Sequence, residues 1–130
     1  MKAKKFDNLE NSKNYFDANI VEHSWERTTT PTGYKMYYIE FDRPLTEIKA
    51  EAFKNTGVTE ILLPETLTTI GDNAFAGNTG LTTLTLPGRV TRIGQNAFAN
   101  CSALESVTIN PSATNAQMTI GKGAFQYTGL

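Results

Sequence analysis

Few side chains in this sequence are suited to covalent or acid–base chemistry: one cysteine, Cys101, and one histidine, His23. A thiol nucleophile needs a base within reach to take its proton, and that base needs a third group to orient it. Single copies of each residue exclude a two-histidine metal motif, a cysteine-rich zinc site and an intrachain disulfide. His23 stands beside Trp25 in a stretch rich in strand-forming residues, where a surface or capping role suits it, and no paired ligands at metal-binding spacing accompany it. The stretches Gly71-Asp72-Asn73 and Gly94-Gln95-Asn96 lack both the phosphate-loop lysine and the dinucleotide fingerprint, so they read as bends. These residues predict no catalytic centre, no cofactor and no metal site, and the chain is expected not to be an enzyme.

The whole composition agrees with that expectation. The 130 residues, 14.3 kDa, suffice for one domain with a core. Twelve Lys plus Arg against thirteen Asp plus Glu give a net charge of −1. No basic excess is present to neutralise phosphates, and nucleic acid is not an expected partner. Hydrophobic content of 39% and charged content of 19% are values of a globular chain. No run approaches the roughly 18 to 20 apolar residues of a membrane-spanning helix. The start, Met1 to Glu10, is charged and has no apolar stretch of a secretion signal. That leaves two readings open, a cytosolic protein or one whose signal and linker lie outside this sequence.

The elements that must position any surface are set by a repeat. Val58-Thr-Glu-Ile61-Leu-Leu63, Leu81-Thr-Thr-Leu84-Thr-Leu86 and Leu104-Glu-Ser-Val107-Thr-Ile109 follow one another at intervals of 23 residues. Ile70-Gly71-x-x-Ala74-Phe75 recurs at Ile93 after 23 residues and at Ile120 after 27, the longer interval carrying four extra residues within Pro111–Met118. A disguised first copy, 22 residues earlier, places Met36-Tyr-Tyr-Ile39-Glu-Phe41, Leu45-Thr-Glu-Ile48 and Ala52-Phe53 in the same frame. The solenoid is thus expected to begin near Met36 and to hold about four coils.

Alternating apolar residues at the fourth and sixth positions of each copy predict a short strand with one buried face. Pro64 and Pro87 end that strand, because proline cannot donate to a ladder. Val90 and Ile93 form a second inward pair. Gly71, Gly94 and Gly121 are expected to provide a bend where a side chain would be strained. Ala97 and Phe98 are expected on a short helical turn, with the ring filling the middle of the coil. Cys101 falls in register with Asn78, and Thr56 and Thr128 occupy the matching places in the flanking copies. Small polar residues recurring there predict inward hydrogen bonds to turn backbone. One coil alone cannot offset the entropy of ordering itself, so the copies must stack.

Leu81-Thr-Thr-Leu-Thr-Leu-Pro-Gly-Arg-Val-Thr-Arg-Ile-Gly-Gln-Asn-Ala-Phe-Ala-Asn-Cys101 resembles the BspA-type leucine-rich repeat of bacterial surface proteins and some protozoan parasites. The resemblance covers residues 36–130. It implies a curved right-handed leucine-rich-repeat solenoid, with short parallel strands stacked on one face and turns and short helical turns on the other. It also implies a non-catalytic binding or adhesion role at the cell surface. The insertion after Ile109, the missing signal and the end at Leu130 depart from the family pattern.

Residues 1–35 are expected to be a lead and cap, and 36–130 the solenoid. Ile20–Arg27, a turn through Thr28–Gly33 and the strand from Met36 read as a hairpin whose first arm shields coil one. Phe16-Asp-Ala-Asn-Ile20-Val21 resembles a lead-in found in some family members. Residues 1–15 fit either a helical face through Phe6, Leu9, Lys13 and Phe16 or a flexible lead. At the other end, no polar cap follows Leu130, so a fragment of a longer protein, or self-association and docking through that end, is expected.

Binding is assigned to the outward strand positions: Tyr37, Tyr38 and Glu40, then Thr59 and Glu60 beside Leu62, then Thr82, Thr83 and Thr85, then Glu105, Ser106 and Thr108. Stacking at about 4.8 Å per coil would align these as columns of hydroxyls and tyrosines facing a protein or glycan ligand. A second exposed column, Thr46, Glu47, Thr68, Thr69, Thr91 and Arg92, competes for the role. The contrasting function is a structural spacer or assembly subunit whose C-terminal end docks onto a further solenoid.

Overall fold

Each repeat contains an isoleucine whose backbone joins it to the next repeat, and these isoleucines organise the molecule. The computed structural model describes residues 15–18, 20–24, 38–111 and 117–130. In chain order the strands are β1 (Ile20–Ser24), β2 (Tyr38–Phe41), β3 (Glu47–Ile48), β4 (Thr69–Ile70), β5 (Thr83–Leu86), β6 (Arg92–Ile93), β7 (Ser106–Ile109) and β8 (Thr119–Ile120). β3, β4, β6 and β8 form one parallel sheet in that order, with Ile48, Ile70, Ile93 and Ile120 in register. The 27-residue interval before Ile120 keeps the same register as the shorter ones, so the insertion leaves the stack undisturbed.

The phenylalanine turns follow these strands. Among the described residues no helix forms, in contrast with the helical turn expected at Ala97 and Phe98. The reason is backbone handedness: Asn73 and Gly77, then Asn96 and Asn100, have φ of 57°, 77°, 57° and 61°. A left-handed residue every fourth position interrupts a right-handed helix. Alternate amides close tight turns within the repeat, as Ala97 N to Gly94 O at 3.2 Å. The amides between them cross to the next repeat: Phe53 N to Ala74 O, Phe75 N to Ala97 O and Phe98 N to Ala124 O, at 2.7 to 2.8 Å.

That ladder brings the rings, each expected to fill the middle of its coil, into a column. Phe53, Phe75, Phe98 and Phe125 stack at centroid spacings of 5.2, 5.2 and 5.4 Å, within 7° of parallel. Around them Leu67, Ile70, Leu81, Leu84, Leu86, Ile93 and Leu104 are fully buried, and Val90 is buried beside them. Phe16 ends the column edge-on to Phe53 at 5.8 Å.

Gly71, Gly94 and Gly121 are required for a reason other than the expected bend. None has a positive φ. A Cβ on Gly94 would instead meet the backbone of the previous repeat, at 2.5 Å from Asp72 N and 2.6 Å from Gly71 C. Close approach between repeats selects glycine here.

The strands predicted from the alternating pattern do not form one continuous sheet. β5 and β7 pair in parallel over four residues. Residues 57–64, the equivalent segment one repeat earlier, adopt no strand. β2 pairs antiparallel with β1, with an irregularity between Ile20 and Glu22. The expected turn at 28–33, the site of the proposed hairpin, lies outside the described residues, as do residues 1–14. Edge protection of β3 comes from residues 15–18. Phe16 bridges Ile48 antiparallel, Lys49 N donates to Tyr15 O at 2.7 Å, and the Asp17 carboxylate accepts the Thr46 and Glu47 amides at 3.1 and 3.0 Å and the Thr46 hydroxyl.

Candidate functional site

The residues with chemical potential sort into interior and surface sets. Thr56, Asn78, Cys101 and Thr128 point inward at the turn following each phenylalanine. Thr56 Oγ1 donates to Phe53 O at 2.8 Å, and Thr128 Oγ1 to Phe125 O at 2.9 Å. The Asn78 amide donates to Phe75 O and Phe53 O, and its oxygen accepts Val58 N at 3.0 Å. The Cys101 thiol lies 3.3 Å from Phe75 O as a donor. Burial pushes the Cys101 pKa up, against a smaller opposing effect from the backbone at Asn78. A buried thiol held protonated is a poor nucleophile, and its partners are those of a backbone tie. His23 lies in β1 opposite Ile39. Among the described residues no three His, Cys, Asp or Glu side chains are grouped to hold a metal ion.

The outward strand positions divide along the repeats. Tyr37 lies outside the described residues, and Tyr38 and Glu40 belong to β2, opposite Ser24 and Glu22. Thr59 is half-buried, with a hydroxyl that meets no partner among the described residues, and Glu60 is exposed beside a Leu62 that is 98% exposed. Thr82, Thr83 and Thr85 are exposed, as are Glu105, Ser106 and Thr108. The β5–β7 register sets Thr83 against Ser106 and Thr85 against Thr108. The predicted columns therefore come together in this half alone. Without ladder bonds from residues 57–64, the earlier members are not aligned with it.

The competing column is the continuous one. Glu47, Thr69, Arg92 and Thr119 are in register across the four-stranded sheet. Thr68 N donates to Thr46 O, Thr91 N to Thr68 O and Thr119 N to Thr91 O. Its pairs join only two residues per strand, which leaves a narrow ribbon of mixed charge and hydroxyl.

Sequence reasoning missed two features. Phe16 and Asp17 seat the N-terminal segment; the readable signal was an aromatic next to an acid just before the strand pattern begins. The second is a cavity of about 920 Å³ where residues 57–64 leave the stack. Phe16, Phe41, Phe53 and Phe75 line it, with Arg43 and Glu60 also on its wall. The one readable signal was Leu62, an apolar residue at the outward position that Thr85 and Thr108 occupy in the paired segments.

A six-copy family model, the BspA type leucine rich repeat region, matches residues 32–130. Neither a curated protein nor a solved structure matches the chain. The match takes in the phenylalanine column, the four-stranded sheet and the β5–β7 face together, and on that extent the chain belongs to the BspA-type leucine-rich-repeat family.

Proposed function

We propose that this chain is a non-catalytic protein-interaction module of a bacterial surface protein, acting in adhesion, and that it holds a protein ligand on the outward face of β5 and β7. In this reading the repeats continue one another as a solenoid, with the N-terminal segments as its cap. One observation carries the assignment: Thr83, Thr85, Ser106 and Thr108 are exposed and paired across two strands. Hydroxyls held on rigid strands offer donors and acceptors at fixed spacing, and below them Leu84 and Leu86 are buried in the core. The ligand meets a surface that loses little entropy on binding.

The test is binding of the chain to immobilised extracellular-matrix proteins, beside a Thr83→Glu, Thr85→Lys variant of equal thermal stability. Loss of binding in the variant alone is the expected result. Equal binding by both moves the ligand to another face, with the Glu47–Thr119 ribbon next in line.

A second reading rests on a separate observation. Ile109, Ile120 and Leu130 are 56%, 52% and 62% exposed, and β7 and β8 are the outermost strands of their sheets. Apolar side chains beside strand edges that are unpaired among the described residues favour docking of a further repeat or a second copy. Ile120→Lys would then abolish concentration-dependent assembly in sedimentation measurements, whereas a monomer at every concentration would refute this spacer role.

A further inference from the structure

The turn side of the repeats holds a cleft that the strand-face reading does not use. Two positions per repeat are left-handed: Glu51, Asn73, Asn96 and Gly123 in one column, and Asn55, Gly77, Asn100 and Tyr127 in the other. Asparagine and glycine enter this region at little cost, while a bulky side chain is strained there. Glu51 departs from the pattern beside Lys54, whose ammonium lies 3.3 Å from its carboxylate. Tyr127 departs at φ 58° with 71% of its surface exposed, so its ring buries too little to offset the strain by packing. Asn100, in the same column of a repeat with neighbours on both sides, is exposed as well, so the column itself faces solvent. Strain retained without packing gain marks a position held for another use.

Tyr127 borders a cleft of about 590 Å³ whose wall includes Asn55, Asn73, Asn96, Asn100 and Gln126. That volume is within the range of ligand clefts, roughly 300–1,000 Å³. Among the described residues none of these five amides is held in a side-chain hydrogen bond, unlike Asn78, whose amide is fully engaged. Among the described residues Lys54 is the one charged side chain on the wall, and Glu51 already draws its ammonium. An anion would find little to hold it, and among the described residues the wall offers a protein no large apolar side chain beyond the one ring.

Free amides place a donor and an acceptor side by side, and an aromatic ring offers a flat face to C–H groups. Their complement is an uncharged molecule dense in hydroxyls. We propose that this cleft binds a neutral carbohydrate chain, with Tyr127 stacked on a sugar ring and Asn96, Asn100 and Gln126 bonded to its hydroxyls. The proposal is independent of the protein ligand on β5 and β7.

The test titrates the full chain with oligosaccharides of cellulose, laminarin, mannan and chitin type, and with hyaluronan as an acidic control, by calorimetry. Binding of at least one neutral oligosaccharide, and not hyaluronan, is expected. Tyr127→Asn restores a residue its column already uses, so it should keep or raise the melting temperature while weakening binding about tenfold or more. Asn100→Gly keeps the left-handed backbone and should weaken binding several-fold. Thr83→Glu, Thr85→Lys should bind as the parent does. Silence from all four neutral oligosaccharides, binding of hyaluronan alone, or full binding by Tyr127→Asn would each overturn the proposal.

Discussion

The side-chain amide of Asn78 donates to the carbonyl of Phe53, one repeat back, at 2.9 Å and to that of Phe75, in its own repeat, at 2.7 Å. Its oxygen accepts Val58 N at 3.0 Å, so one buried side chain ties two repeats at three backbone groups. Truncation leaves Val58 N without its acceptor and takes one donor each from Phe53 O and Phe75 O, which keep the Thr56 hydroxyl and the Cys101 thiol. Asn78→Ala is expected to cost about 3 kcal/mol, and Cys101→Ala, which loses one weak thiol bond and a little volume, about 1 kcal/mol. Urea unfolding of both variants checks the difference; equal losses would reduce the amide network to packing.

The phenyl column predicts coupling along the stack. Phe98 is fully buried between Phe75 and Phe125. Phe98→Ala is expected to cost about 3–5 kcal/mol, a large share of the total for a domain of this size. A double-mutant cycle of Phe75→Leu and Phe98→Leu should return about 0.5–1.5 kcal/mol of coupling. Additive losses would mean that the rings act through buried area alone.

Glycine has two different jobs in this fold, and two substitutions separate them. Gly94→Ala drives a methyl group into the backbone of Gly71 and Asp72 and should destabilise by about 1–3 kcal/mol. Asn96→Gly, at a left-handed position two residues later, should be neutral or mildly stabilising, within about 1 kcal/mol. Thermal melts of the two variants should move in different directions or by clearly different amounts.

Asp17 makes the N-terminal attachment sensitive to acid. Burial raises its pKa, but the Thr46 hydroxyl and the Glu47 and Thr46 amides outweigh that and hold it below the ordinary carboxylate value. The unfolded chain then binds the proton more readily than the folded one, so stability from this group is present above about pH 4 and is lost as pH falls further. Asp17→Ala should flatten the acid limb and speed hydrogen exchange at the Thr46 and Glu47 amides. An unchanged acid limb would show that the charge contributes nothing there.

Cys101 acts on the alkaline side. Its raised pKa means that the folded chain keeps a proton the unfolded chain releases above about pH 8.5. Stability from this group is complete below that value and declines as pH rises. Cys101→Ala should remove the decline, and alkylation of the parent thiol should proceed only as fast as the protein opens.

The sequence by itself determined the period, the family and the inward set. Ile70, Ile93, Phe75, Phe98, Leu84 and Leu86 were identified as core by spacing alone, because burial of an apolar side chain at a fixed period is a local property of the pattern. The inward ties at Thr56, Asn78 and Thr128 were legible for the same reason. The surface was legible only in part: Thr83, Thr85, Ser106 and Thr108 meet as expected, but Thr59 and Glu60 stand apart from them. Tertiary structure decided which strands pair, since Val58–Leu63 shares the inward apolar positions of β5 and β7 yet has no ladder partner among the described residues. It also decided that left-handed asparagines replace a helix, that Gly94 exists for the neighbouring backbone, and that Phe16 and Asp17 close the edge of β3. Each of these depends on a contact between repeats or with the chain ahead of them, and periodicity within a repeat carries no information about the backbone that will lie across from it.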